Sequence, residues 1–99
     1  MARLEPEVRK EQIIQSALAV TKSIGIQRIT RKAIARHAEV AEGLVSHYYN
    51  TMIQLRRDVA RRAMRDKDPA ILAMLLGDPK LKRKLSPEHK EIAIRHLQG

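Results

Sequence analysis

The side chains best suited to polar recognition in this sequence lie between Thr30 and Tyr49, TRKAIARHAEVAEGLVSHYY. Thr30, Arg31 and Lys32 place a hydroxyl and two cations at the start of one segment. Glu42, Ser46, His47 and Tyr48 place a carboxylate, two hydroxyls and an imidazole along a second. By type alone His37, Glu39, Glu42 and His47 are metal ligands, but no two histidines stand at HxxxH spacing and no cysteine is present. No nucleophile–base pair, phosphate-cradling glycine loop or forced carboxylate pair occurs anywhere in the chain. No catalytic residue, metal or cofactor is therefore expected. What remains is hydrogen-bonding chemistry, with cations and hydroxyls for phosphate and imidazole for phosphate or base edges.

Presenting these groups takes two short helices and a turn. In Thr30–Ala38, Ile34 and Ala38 fall four residues apart with Ala35 beside them, so one face is apolar; Arg31, Lys32, Arg36 and His37 lie elsewhere. In Glu42–Tyr49, Val45 and Tyr49 are again four apart, which turns Glu42, Leu44, Ser46, His47 and Tyr48 away from them. Glu39-Val40-Ala41 separates the segments. Two such helices cannot form a core alone and must lean on a third element. The arrangement is a helix-turn-helix, whose second helix can lie in the DNA major groove.

Ninety-nine residues suffice for one small helical domain. The formal net charge is +9, from 20 Lys/Arg against 11 Asp/Glu, which favours nucleic acid or an anionic membrane surface as partner. With two tyrosines and neither Phe nor Trp, base stacking on single strands has little to work with, and an amphipathic helix would lack a bulky membrane anchor. MARLEPEVRK has no apolar signal core, and the longest apolar run, Ala70–Leu76, is far short of a bilayer span. These features predict no membrane partner and a cytoplasmic location.

In chain order, Met1–Leu4 reads as a basic arm carrying Arg3. A first helix opens at Glu5-Pro6-Glu7, presents Ile13, Ile14, Ala17, Leu18, Val20, Thr21 and Ile24 at helical spacing, and stops at Gly25. Ile26 and Ile29 tuck beneath the next helix, which Thr30 caps. Thr51-Met52-Ile53-Gln54 is a capping box for a fourth helix running to about Lys67. Met52, Ile53, Leu55, Val59, Ala60, Ala63 and Met64 cover a wide apolar arc on it, opposite Arg57, Arg61 and Arg65. Asp68-Pro69, Asp78-Pro79 and Ser86-Pro87 each set a capping oxygen before a helix-opening proline, predicting helices near 69–76, 79–85 and 87–98. Residues 1–67 carry 14 Lys/Arg against 7 Asp/Glu and residues 68–99 carry 6 against 4, so the basic weight sits with the helix-turn-helix.

These residues resemble the TetR-type bacterial regulators over roughly 9–66. IIQSALAVTKSIGIQRIT (Ile13–Thr30) looks like the family's first helix and the strap to its second. IARHAEVAEGLVSHYYNTMIQL (Ile34–Leu55) resembles helix 2, the turn, the recognition helix and the entry to helix 4. Within it, GLVSHYY is similar to the recognition helix of choline-responsive repressors of betaine synthesis. Thr21 stands where the family usually has an aromatic, Glu39 where the turn usually has glycine, Ala41 where a Ser/Thr cap is usual, and Met52 where a phosphate-holding lysine is usual.

The resemblance implies an all-α, TetR-like helix-turn-helix domain over 1–67 with a short helical C-terminal extension over 68–99. It further implies a homodimer that binds double-stranded DNA at a palindromic operator and represses by occlusion. Lys32 is then the base reader from helix 2, an Arg/Lys contact to guanine being worth about 1–3 kcal/mol of discrimination. Thr30 and Arg31 suit phosphates, and Glu42, at the start of the recognition helix, joins the DNA-binding residues. Gly43 allows close approach to the groove, Leu44 faces a thymine methyl, and Ser46, His47 and Tyr48 reach phosphates or base edges. Val59, Ala63, Leu72, Leu75 and Leu76 are surplus apolar surface and form the expected dimer face. The three short helices of 68–99 are too small to wall a drug-sized cavity, so no small-molecule effector and no internal ligand pocket are expected. The competing reading is a helical adaptor that docks another protein through its tail.

Overall fold

Five of the seven helices that the computed structural model describes begin where a side-chain oxygen caps the first turn. The structure describes residues 5–99, and the basic arm expected at 1–4 lies outside the described residues. Helix α1 is Pro6–Ile24, α2 Arg31–Ala38, α3 Glu42–Tyr48, α4 Met52–Asp66, α5 Pro69–Leu76, α6 Pro79–Lys82 and α7 Pro87–Gln98. The fold is all-α. None of these helices is long and apolar enough to cross a membrane.

The caps are local devices and act where the sequence predicts. Thr30 Oγ1 accepts from the Ala33 N–H at 3.1 Å, and Thr51 and Gln54 form a reciprocal capping box. Asp68 Oδ1 accepts from Ile71 N–H, Asp78 Oδ1 from Lys80 and Leu81, and Ser86 from His89. Gly25 ends α1 with φ +95°, a backbone setting that suits glycine. The main difference in the tail is α6, which closes at Lys82 instead of continuing to 85. There the backbone tightens into i→i−3 bonds, Lys84 to Leu81 and Leu85 to Lys82. Leu85 is still buried, so the turn delivers the side chain that a longer helix was expected to place.

Helices α1, α2 and α3 pack as a three-helix unit, with Ile13, Ile14, Ala17, Ile34, Ala35 and Val45 at its centre. Ile26 and Ile29 are buried as expected, whereas Ile24 is largely exposed because Gly25 turns the chain before it reaches the core. Thr21, in the place of an aromatic, is fully buried and satisfied by donating to the Ala17 carbonyl at 2.7 Å. Helix α4 crosses this unit and meets α5, which is apolar on nearly all sides and packs on α1, α4, α6 and α7. Glu11 and Arg62 tie α1 to α4 through two hydrogen bonds of 2.6 and 2.7 Å. The Arg62 hydrogen bonds, with help from Gln15, hold the Glu11 carboxyl down at about 2. This tie supports the fold above the ordinary carboxylate pKa and is lost as pH falls towards 2.

The expected dimer face takes a different role. Val59, Ala63, Leu72 and Leu75 are all buried inside a single copy of the chain, each with 0–1 % of its surface exposed, and Leu76 is half-buried against the same core. The apolar arc of α4 that looked surplus is covered by α5, and the far side of α5 is covered by α7. Val59, Ala63, Leu72 and Leu75 therefore hold helices of one chain together, and of the five only Leu76 keeps part of its surface. Large apolar side chains that do remain exposed include Ile53 on α4 and Ile94 and Leu97 on α7.

The turn between α2 and α3 carries two local costs that can be relieved. Glu39 sits in the left-handed region, φ 59° and ψ 44°, and Ala41 caps α3 with no side-chain acceptor. Left-handed backbone costs a non-glycine residue about 1–2 kcal/mol, partly offset by the entropy a glycine adds to the unfolded chain. A Ser cap contributes about 1 kcal/mol over Ala. Ala41→Ser is expected to raise the melting midpoint by about 4–8 °C and Glu39→Gly by somewhat less. A differential scan of each variant checks this, and a lowered midpoint for both would show that the turn is not the weak point.

Candidate nucleic-acid interface

The interface is built on the packing of α3. Val45 and Tyr49 point inward and are 0 % and 4 % exposed, as their i, i+4 spacing predicts. That fixes the rotation of the helix, so Glu42, Gly43 and His47 are exposed and Leu44, Ser46 and Tyr48 lie half-buried along its edges. The His47 and Tyr48 rings meet edge to face with centroids 5.0 Å apart, which limits how the two can swing. A Cβ built on Gly43 finds no heavy atom within 4 Å, so the first turn of α3 is bare towards solvent.

Helix α2 brings its N-terminus beside this surface. Lys32 is exposed there. Thr30 spends its acceptor on the α2 cap. Arg31 is half-buried, and its Nη2 donates to the Asn50 carbonyl at 2.8 Å. Arg31 thus fastens the start of α2 to the loop between α3 and α4, a role the sequence reading did not assign. Its signal lay in a backbone carbonyl 19 residues away, to which no side-chain pattern points.

Two further contacts stiffen the platform and were not visible in the sequence. The Tyr49 hydroxyl donates to Asp58 Oδ2 on α4. Burial first, and then the neighbouring Asp58 carboxylate, push the Tyr49 phenol above its ordinary range, so it stays protonated and bonded at neutral pH. Lys10 of α1 lies over the Tyr49 ring, 5.3 Å from its centre. Arg57 and Arg61 flank the same corner, lining with Lys10, Tyr48 and Gln54 a concavity of about 310 Å³. Met52, in the usual place of a lysine, is half-buried at the start of α4 and offers no charge.

The histidines and carboxylates do not converge. His37 Nδ1 lies 3.0 Å from Ser16 Oγ on α1, and the described residues contain no group of three or more His, Cys, Asp or Glu that could hold a metal ion.

A three-helix unit with a solvent-facing third helix defines a helix-turn-helix domain, and the relatives that its sequence matches support a TetR-type regulator with this domain at its N-terminus. The chain is 33% identical over 70 residues to the HTH-type transcriptional regulator BetI 2 of Chromohalobacter salexigens, covering 71% of this chain and 33% of that protein. It is 45% identical over 42 residues to BetI of Proteus mirabilis, covering 42% of this chain and 21% of the relative. It is 26% identical over 74 residues to BetI of Vibrio parahaemolyticus, covering 75% and 37%. The chain thus spans between about a fifth and a little over a third of the length of these curated relatives. No protein-family model matches it, and no solved structure matches it significantly.

Proposed function

We propose that this chain binds double-stranded DNA sequence-specifically and regulates transcription, most simply as a repressor whose homodimer covers a palindromic operator. The observation that carries this reading is the division of labour on α3. Val45 and Tyr49 do the packing, while Gly43 and His47 stay exposed, as does Lys32 on α2, and Ser46 and Tyr48 lie half-buried at the edges. Its relatives are named HTH-type transcriptional regulators, and no enzymatic role is proposed. Recognition helices of two protomers would enter major grooves one helical turn apart, phosphate contacts supplying affinity and Lys32 and α3 supplying specificity. With Ile71, Leu72 and Leu75 of α5 and Ala93 of α7 fully buried, we place no internal effector pocket within these helices.

Exposed Ile94 and Leu97 on α7 offer apolar surface for self-association, and they equally support the second reading, an adaptor whose tail docks another protein. A footprint on DNA from the gene's own upstream region, with light scattering at micromolar concentration, separates the two. A single protected operator bound by dimers supports the regulator, and a monomer with no sequence preference supports the adaptor.

Base reading and anchoring should part on mutation. Lys32→Ala and His47→Ala are expected to relax preference at particular operator positions, at a cost of about 1–3 kcal/mol each. Arg31→Ala should weaken binding to all sequences alike and lower the salt slope by about one unit. Because Arg31 also holds Asn50, its melting midpoint is measured alongside. Equal loss by the Lys32 variant on operator and random DNA would remove its reading role.

A further inference from the structure

The strongest unassigned feature is a cleft of about 550 Å³ where the α1–α2 loop, the first turns of α4 and the α6 region meet. Arg56, Arg57, Lys80, Arg83 and Lys84 line it against one carboxylate, Asp78. That carboxylate is already occupied. One oxygen caps α6 by accepting from the Lys80 and Leu81 N–H groups at 2.9 and 3.2 Å, and the other accepts from the Gln27 amide. Arg56 is fixed by donating to the Ile26 carbonyl at 3.2 Å. Among the described residues, Arg57, Lys80, Arg83 and Lys84 enter no ion pair.

Arg57 also lines the concavity beside Tyr48, together with Lys10, Asp58 and Arg61, the last two paired at 3.8 Å. The two hollows therefore share a wall, and a cationic track runs from the end of the recognition helix, over α4, to α6. We propose that this track binds the phosphodiester backbone of DNA adjoining the base pairs that α3 reads, making the α6 region part of the DNA interface. The proposal rests on the DNA-binding reading above. A compact anion matches the site less well: Arg57, Lys80, Arg83 and Lys84 are all exposed and spread along an open track instead of converging on one enclosed point. A polyanion with regularly spaced phosphates can meet such a row, releasing counterions at each contact.

The test measures the salt dependence of binding by the full chain on two duplexes. One ends at the edges of the base pairs whose identity the wild type reads, and the other extends about ten base pairs, one helical turn, beyond each edge. Removing three phosphate contacts should flatten the slope by roughly two to three units, at about 0.9 per contact. The Lys80→Gln/Arg83→Gln/Lys84→Gln variant is expected to show that change on the long duplex and little on the short one, with unchanged base preference and melting midpoint. Arg57→Gln, on a different helix, should act in the same direction. A charge-matched control, Lys67→Gln/Lys90→Gln/Arg95→Gln, should leave the slope near wild type. If the α6 variant and the control change the slope equally, or if neither changes it, the track is not a contact surface. If the wild type binds neither duplex, the DNA-binding reading itself falls, which is a different result from either.

Discussion

Gly43→Leu should give a protein that folds at least as well as the wild type and has lost its operator. Gly43 lies in the first turn of α3, and a side chain built there meets no other part of the protein within 4 Å. Replacing a helical glycine removes unfolded-state freedom and stabilises by about 0.5–1 kcal/mol. In the groove the same branched side chain would stand between the helix and the base edges. It would hold off Ser46 and His47, which lie one turn further along. Loss of close approach should weaken operator binding on the order of 100-fold, or about 2.7 kcal/mol. Gly43→Ala, with a single methyl, should fall between. Melting curves and fluorescence anisotropy on one operator duplex read both quantities from the same sample. A leucine variant that binds like the wild type would mean that α3 does not enter the groove by this turn.

The second large effect is on stability. Leu72→Ala removes a fully buried side chain of α5, the helix that packs on α1, α4, α6 and α7. Cavity-forming changes of this kind cost about 2–5 kcal/mol, a large part of the 5–15 kcal/mol that holds a small domain folded. The loss should be the same at low and high protein concentration, because Leu72 is covered by its own chain. Had Leu72 formed the dimer face that its sequence suggested, its removal would act mainly through association, and the midpoint would shift with concentration by mass action. A series of thermal melts over a hundredfold dilution distinguishes the two. A concentration-dependent deficit would restore the dimer-face role.

The sequence by itself determined the helices and the rotation of the recognition helix. Caps and breaks act over three or four residues, so Pro6, Gly25, Thr30, Thr51, Asp68, Asp78 and Ser86 set element ends wherever the rest of the chain goes. The i, i+4 spacing of Val45 and Tyr49 is equally local, and it places His47 and Gly43 at the surface without reference to any other helix. Even the departures Glu39 and Ala41 could be seen as weak points of the turn, since their backbone demands come from the turn itself.

What covers an apolar face was decided only in three dimensions. A stripe on α4 states that Val59 and Ala63 will leave water, but not whether α5 or a second copy will shelter them; that depends on where a short turn at Lys67 and Asp68 aims the next helix. The same holds for the long-range polar ties. Glu11 meets Arg62, and Gln27 meets Asp78, across 51 residues in each case, and Arg31 meets the carbonyl of Asn50 across 19. No periodicity encodes such meetings, because they follow from the angles at which helices cross. The cationic track has the same origin. Arg57 and Lys84 belong to separate elements with ordinary surface spacing, and only the packing of α4 and α6 on α5 brings their charges to one cleft.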